Sequence, residues 1–215
     1  MRACGCACLW PTHSDGSPRG SIESERTHNT GCRVSCCLLS PVTPTDRLAN
    51  TLVHPLSGQH LPDLLRVQRA CYGDVYIETA EVYARRLASP AQCSLVLERA
   101  GRVCAYLAAY DTAWGKVTVL HGDFETVPQP DTLYLHDMAV LPELAGQGLA
   151  RALLEPLWRR ATARGLQVSA LVAVQGSQGF WEHHGYAVLA LQEAEQRQRL
   201  ATYGDGAVYM QRTLV

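Results

Sequence analysis

The stretch from Thr132 to Arg159 constrains the fold most strongly, because it predicts a strand, a tight turn and a helix in immediate succession. Its first part has the nearly continuous apolar pattern of a central strand that is covered on both faces: Leu133, Leu135, Met138, Ala139 and Val140. Pro142 and Gly146 interrupt this pattern, since proline cannot continue a strand and glycine permits a turn. Leucines at helical spacing follow Gly148 and predict an amphipathic helix.

The turn between this strand and this helix is chemically the most informative part. A helix N-terminus presents backbone N–H groups without intrahelical acceptors, together with the positive end of the helix dipole. Gly146 and Gly148 carry no side chains that would keep an anion away from those amides. The turn therefore predicts a phosphate site. It is not a Walker A loop, because no Gly-Lys-Ser/Thr follows, and it lacks the full dinucleotide fingerprint G-x-G-x-x-G.

Two segments carry a family resemblance. Ala145–Ala150, AGQGLA, resembles the acetyl-CoA pyrophosphate loop of the GNAT superfamily of N-acetyltransferases, usually Arg/Gln-x-x-Gly-x-Gly/Ala. Gly179–Tyr186, GFWEHHGY, is similar to the closing helix and turn of that superfamily, usually Phe-Tyr-Glu-Lys-x-Gly-Phe. The two motifs stand in the superfamily's order with a predicted strand between them, and the resemblance extends from Asn50 to Val215.

The resemblance implies an α+β fold with a mixed, mostly antiparallel twisted sheet that is splayed at its centre and has helices on both faces. Periodicity along the chain predicts the order β-α-α-β-β-β-α-β-α-β-β, with Tyr186–Leu191 and Ala207–Leu214 as closing strands. We expect the acetyltransferase domain to occupy residues 49–215. Residues 1–48 show no periodicity, which indicates a disordered extension or, alternatively, a translation start assigned too far upstream.

The resemblance also implies which residues hold acetyl-CoA. The end of the central strand is expected to pair with the pantetheine arm, with the Val140 N–H facing the thioester carbonyl, and the glycine loop to hold the pyrophosphate. Ser177 and Trp181 are expected to border the thiol, with core packing of Trp181 as the alternative. The full set is Met138, Ala139, Val140, Gly146, Gln147, Gly148, Leu149, Ala150, Arg151, Ser177 and Trp181.

Two positions depart from the superfamily's pattern. Ala145 stands where Arg or Gln is usual. Trp181 stands where a tyrosine often protonates the leaving thiolate, and an indole N–H does not titrate usefully.

A polar pair, His136-Asp137, interrupts the apolar central strand. Buried polar groups are either hydrogen-bonded within the fold or functional. Alternation along a strand predicts that the two side chains point to opposite faces, so that at most one faces the acceptor. The resemblance implies Asp137 as the catalytic base, with His136 as the second candidate. The alternative is that Asp137 supports a neighbouring loop and His136 is a core histidine.

Two connections are candidates for the acceptor pocket. The resemblance implies that the connection 71–76 helps to form this pocket, and an ordinary solvated loop is the alternative. The long connection 111–130 contains polar and aromatic groups that could contact an acceptor, but its spacing favours a solvated loop.

The sequence therefore predicts an acetyl-CoA-dependent N-acetyltransferase that acts on a small-molecule or peptide amine by direct attack in a ternary complex. The alternative is a non-catalytic acyl-CoA-binding module of the same fold. A net charge of −1 gives no electrostatic case for nucleic acid. No apolar run is long enough to span a membrane, and a cytoplasmic protein is expected. The assembly is left open, with a homodimer as one alternative.

The cysteines do not indicate a metal site. Nine are present, and six of them precede Leu38. Their spacings, C-x-C-x-C and C-x-x-x-C-C, differ from those of the usual zinc motifs. We expect no metal cofactor.

Overall fold

The computed structural model describes residues 50–73, 77–174 and 176–214. Within these ranges it contains seven strands and five α-helices, and short 3₁₀ turns at Gly58–His60 and Pro142–Leu144 precede α1 and α3. In chain order the elements are β1 Thr51–Pro55, α1 Leu61–Tyr72, α2 Ala80–Ala88, β2 Leu95–Arg99, β3 Arg102–Thr112, β4 Thr132–Val140, α3 Leu149–Ala163, β5 Val168–Ala173, α4 Gln178–His183, β6 Ala187–Val188, α5 Ala194–Ala201 and β7 Val208–Thr213. The predicted extension 1–48 lies outside the described residues.

The strands form one sheet in the order β1-β2-β3-β4-β5-β7-β6. All neighbouring strands are antiparallel except β4 and β5, which are parallel. The parallel pairing joins only Thr132–Leu135 to Val168–Leu171, so the two strands diverge beyond Leu135. The predicted mixed sheet with a splayed centre is confirmed.

The core lies on both sides of β3 and β4. Every residue of β3 after Arg102 is buried, which matches its apolar sequence and its central place in the sheet. Helices α1 and α2 cover the face that carries Tyr106 and Asp137, and α3 packs across β2, β3 and β4 on the opposite face. No helix within the described ranges has both the length and the hydropathy needed to cross a bilayer.

The C-terminal part differs from the predicted pair of long closing strands. Strand β6 has only two residues, and helix α5 lies between it and β7. None of the residues of α5 is buried, so it has no apolar stripe from which a helix could be predicted. Polar contacts hold it instead: Arg199 donates to the Val117 carbonyl at 3.3 Å, and Tyr203, just after the helix, donates to the Thr118 carbonyl.

The connection 111–130 is also more ordered than a solvated loop. Val117 and Phe124 are buried, and the Phe124 ring stacks on Tyr110 with ring centres 4.4 Å apart. This connection therefore packs against the sheet beside α2.

Candidate active site

The turn before α3 has the geometry of an anion site. Gly146 and Gly148 adopt φ values of 73° and 82°, which residues with a side chain rarely adopt. The Gly148 carbonyl accepts a helical hydrogen bond from the Ala152 N–H at 3.1 Å. The N–H groups of residues 149–151 therefore precede the first residue with an intrahelical acceptor. A methyl group at either glycine would meet no non-neighbouring heavy atom of the described residues within 4 Å, so the turn opens onto free space.

A cation beside this turn comes from a different element. Arg99, at the end of β2, donates from Nη1 to the Gln147 side-chain oxygen at 2.9 Å. Arg151 in the first turn of α3 is 73% exposed and bonded to Glu155 at 2.6 Å. Of the two arginines, Arg99 is thus the one that contacts the turn directly. Arg99 and Gln147 are 48 positions apart in the chain, which explains why no local motif indicates this contact.

The sheet contains a small cavity where β4 diverges from β5. Its volume is about 20 Å³, which is enough for one water molecule. Three strands and α4 contribute its lining: Leu107, Leu135, His136, Asp137, Met138, Leu171, Val172 and Trp181. The structure therefore brings together Met138 and Trp181, two of the residues predicted to contact acetyl-CoA.

The remaining predicted residues lie around this cavity and the turn. Ala139 and Val140 complete β4 and are buried. Ser177 is the N-cap residue of α4, and its buried hydroxyl has no hydrogen-bond partner among the described residues. A buried hydroxyl without a partner, four residues before Trp181 of the cavity lining, fits a ligand that carries hydrogen-bonding groups.

A β-bulge determines where the polar pair of β4 points. Ala108 lies opposite Asp137 and Ala109 opposite Leu135, so His136 is an extra residue on β4. The extra residue places His136 and Asp137 on the same face, whereas Leu135 points to the other. Both polar side chains contact groups of the α1–α2 unit. The prediction that they point to opposite faces is wrong, because simple alternation holds only in a strand without a bulge.

Asp137 is the acceptor of three tyrosine hydroxyls. Tyr72 and Tyr83 donate to its oxygens at 2.8 Å each, and Tyr106 donates at 2.5 Å. Gln68 donates to the Tyr83 hydroxyl at 3.2 Å, which directs the hydrogen of that hydroxyl towards Asp137. Burial and the charge of Asp137 raise the pKa of Tyr83 and of Tyr106 well above 10, so both remain donors at neutral pH.

His136 lies in a second buried polar cluster on the same face. Its side chain is 2% exposed, and its Nε2 lies 3.5 Å from Oε2 of Glu78. Arg86 binds both oxygens of Glu78 at 2.5 Å, and the His121 N–H donates to the same carboxylate at 2.9 Å. Nδ1 of His136 has no hydrogen-bond partner among the residues that the structure describes.

The charges of this cluster follow from its surroundings. Burial opposes ionisation of Glu78, but His136 and the paired Arg86 outweigh it and lower its pKa well below the ordinary 4.5. Burial and the nearby Arg86 lower the pKa of His136 below 6.5, against the opposing effect of Glu78 and Asp137. At pH 7 we therefore expect an ionised Glu78 and a neutral His136.

Sequence reasoning missed Glu78, Arg86, Tyr83 and Tyr106. One signal was present. Val82, Tyr83 and Arg86 form the buried face of α2, so a charged residue stands in an otherwise apolar stripe. Tyr72, which lies in the connection expected to help form the acceptor pocket, ends α1 and reaches Asp137. Residues 74–76 of that connection lie outside the described part of the chain.

The fold is similar to the folds of several solved structures. The structure of the ribosomal-protein-S18-alanine N-acetyltransferase from Escherichia coli is similar with a TM-score of 0.55 at 18% identity, over 76% of this chain and 94% of that chain. The PaiA N-acetyltransferase from Thermoplasma acidophilum in complex with coenzyme A gives 0.52 at 13% identity, over 76% and 98%. The GphF GNAT-like decarboxylase in complex with isobutyryl-CoA gives 0.60 at 16% identity, over 76% and 100%.

These identities are low, so the structural neighbours show the shared fold alone. No curated protein matches the sequence. The sequence model of the acetyltransferase (GNAT) family matches residues 61–186, which is more than half of the 215 residues. The chain therefore belongs to the acetyltransferase (GNAT) family.

Proposed function

We propose that the protein is a cytoplasmic, acetyl-CoA-dependent N-acetyltransferase whose acceptor is the amine of a small molecule or a peptide. One observation carries the proposal: β4 lines the cavity where it diverges from β5, and the same segment of chain continues into the glycine turn at the N-terminus of α3. A site for a thioester and a site for a pyrophosphate thus lie on one continuous segment, 138–151. Family membership and the CoA-containing structural neighbours support the same conclusion.

The chain offers suitable groups for each part of acetyl-CoA. In this proposal the amides of residues 149–151 bind the pyrophosphate, and each such contact contributes roughly 0.3–1 kcal/mol, or about 2 when partly buried. Gly146 and Gly148 let the phosphates approach, and Gln147 joins them to Arg99. The end of β4, residues 138–140, pairs with the pantetheine arm, and Ser177 and Trp181 border the thiol. No metal takes part in the proposed reaction.

The proposed reaction is direct transfer in a ternary complex. The amine nitrogen forms a bond to the acyl carbon while the bond from that carbon to sulfur breaks. The amine loses a proton to a base on β4, for which Asp137 and His136 are the candidates, and the thiolate takes a proton from solvent because Trp181 does not supply one. The Val140 N–H stabilises the oxygen that becomes negative.

The test is release of free CoA thiol from acetyl-CoA over a panel of small amines and peptides. We expect release that depends on one class of amine. The matched control is Gly148→Val, which places a branched side chain where the phosphates approach and should abolish the signal.

The second candidate function, a non-catalytic acyl-CoA-binding module, is favoured by Trp181 in the place of a tyrosine acid. Tight CoA binding by calorimetry without thiol release for any amine would support that candidate and contradict an acetyltransferase.

A further inference from the structure

His136, which lines the cavity, has a buried ring nitrogen, Nδ1, without a hydrogen-bond partner among the described residues. Most buried polar atoms in folded proteins are hydrogen-bonded, so one without a partner calls for an explanation. Nδ1 of His136 has no partner among residues 50–73, 77–174 and 176–214, although the side chain is only 2% exposed. His136 is also one of the residues that line the cavity shared by Met138 and Trp181. Its position at the cleft points to a role toward a ligand.

Glu78 determines which ring nitrogen carries the proton. A neutral imidazole has one N–H donor and one acceptor nitrogen, and an ionised carboxylate can only accept. Because Glu78 faces Nε2 at 3.5 Å, Nε2 carries the hydrogen and Nδ1 holds the lone pair. Arg86 keeps Glu78 in place through two contacts of 2.5 Å. The pair thus prepares His136 as a proton acceptor at Nδ1.

Asp137, unlike Nδ1 of His136, already accepts several hydrogen bonds. Three tyrosine hydroxyls already donate to its two oxygens. These hydroxyls occupy three of the roughly four lone-pair positions of the carboxylate, so little capacity remains for the proton of an amine. Its geometry suits a residue that fixes the tyrosines of α1, α2 and β3 around the cleft.

We propose that His136 is the base of the reaction and that Glu78 is the positioning residue that sets its tautomer. This inference rests on the proposed acetyltransferase function. As the amine nitrogen bonds to the acyl carbon, its proton passes to Nδ1 of His136, and the thiolate that leaves takes a proton from solvent. Glu78 stabilises the imidazolium, which then returns its proton to solvent. Asp137 is a positioning residue that does not take the proton.

The first test does not need turnover. Nitrogen-15 NMR of histidine-labelled protein at pH 7 should show His136 as the neutral form with its proton on Nε2. Glu78→Gln removes the acceptor-only carboxylate, so the preference for this tautomer should weaken. A wild-type His136 with its proton on Nδ1, or a fully protonated ring at pH 7, would overturn the proposal.

The second test is the pH profile of kcat/KM. The charged groups around His136 are Glu78, Arg86 and Asp137, and the uncharged rings of Phe124 and Tyr134 complete its surroundings. The rate should fall below about pH 6.5, the ordinary value for histidine, as His136 becomes protonated. Glu78→Gln should move this fall to lower pH, because the imidazolium loses its anionic neighbour. A purely structural role of Glu78 would lower the amount of folded protein and leave the position of the fall unchanged.

The decisive variant is His136→Gln, whose amide can still donate to Glu78 but cannot titrate. The rate should fall by roughly 10²–10⁴-fold, the acidic fall of the profile should disappear, and CoA affinity by calorimetry should not change. His54→Gln is the matched control, because His54 also faces a glutamate, Glu98 at 3.3 Å, but lies on β1 at the sheet edge. This control should leave the profile intact.

Other outcomes separate this inference from the proposed function. A His136→Gln enzyme that keeps its rate and its acidic fall, or an Asp137→Asn enzyme that alone loses that fall, would contradict the assignment. If His136→Gln does not fold, the tautomer measured on the wild type still decides the role of Glu78. If no amine releases thiol with the wild type, the proposed function fails, and the same NMR measurement still tests the Glu78–His136 pair.

Discussion

Two glycines at the ends of α3 allow the phosphate-binding role of the turn to be separated from backbone strain. Gly148 precedes the helix with φ 82° and Gly165 follows it with φ 81°. Neither position has a non-neighbouring heavy atom of the described residues within 4 Å of a would-be Cβ. Alanine at either position is therefore strained but meets no clash within the protein.

The strain should be nearly equal in the two variants. A left-handed conformation costs a residue with a side chain roughly 1–2 kcal/mol. For a chain of this size each kcal/mol lowers the melting temperature by roughly 2–4 °C. Gly148→Ala and Gly165→Ala should each lower it by about 2–8 °C.

Only Gly148→Ala should weaken CoA binding. Its methyl group enters the open space in front of the amides of residues 149–151, where the proposal places the pyrophosphate. Loss of one or two helix–anion contacts amounts to about 1.4 kcal/mol, or a roughly tenfold rise in Kd. Pantetheine, which has no phosphates, should bind both variants as it binds the wild type. Gly165 lies at the far end of the helix, so its variant should keep full CoA affinity.

Titration calorimetry with CoA and with pantetheine, together with thermal melting, measures both effects. The reasoning is refuted if Gly165→Ala loses as much CoA affinity as Gly148→Ala. It is also refuted if Gly148→Ala weakens pantetheine as strongly as CoA, since the loss would then not concern the phosphates.

Four further predictions concern the charges of the site. Asp137→Asn turns one acceptor oxygen into an amide that faces tyrosine donors, so thermal melting should show a loss of about 1–3 kcal/mol of stability. Ala145→Arg should tighten CoA binding measured by calorimetry, because it adds a cation beside the phosphates; unchanged affinity would indicate that Arg99 already serves there. Arg86→Met leaves the Glu78 carboxylate buried without its partner and should lower the urea unfolding free energy by roughly 3–5 kcal/mol. Because the folded-state pKa of Glu78 lies below 4.5, the stability it adds is present above pH 4.5 and is lost as the pH falls. A Glu78→Leu/Arg86→Met double variant should thus lose less stability on acidification than the wild type, and an equal loss would contradict this pKa.

The parts of the fold predicted from sequence are those with a local pattern. The strand, the two glycines and the leucine stripe of α3 all lie within one short stretch, and each follows from the neighbours beside it. Helix α5 could not be predicted in this way, since polar contacts with the connection 111–130 hold it and it has no apolar stripe.

The sequence predicts the phosphate loop of the site but not its buried polar contacts. The contact of Arg99 with Gln147 joins residues far apart in the chain. The bulge at His136 depends on the register between β3 and β4, and nothing in the residues of β4 alone reveals that register. The sequence shows Arg86 as a charged residue in the apolar stripe of α2, but its partner Glu78 precedes that helix and gives no such signal.

The short parallel seam between β4 and β5 also bears on how the molecule opens. Four residue pairs join the two strands, whereas eight join β3 to β4 and six join β5 to β7. The seam therefore has fewer residue pairs than the pairings on either side of it, and it divides the sheet into two units, β1–β4 and β5–β7. Separation along that line breaks few backbone hydrogen bonds, so opening there requires less free energy than global unfolding. A ligand that bridges the two units would hold them together, and its binding should slow amide hydrogen exchange in both units, including strands it does not touch.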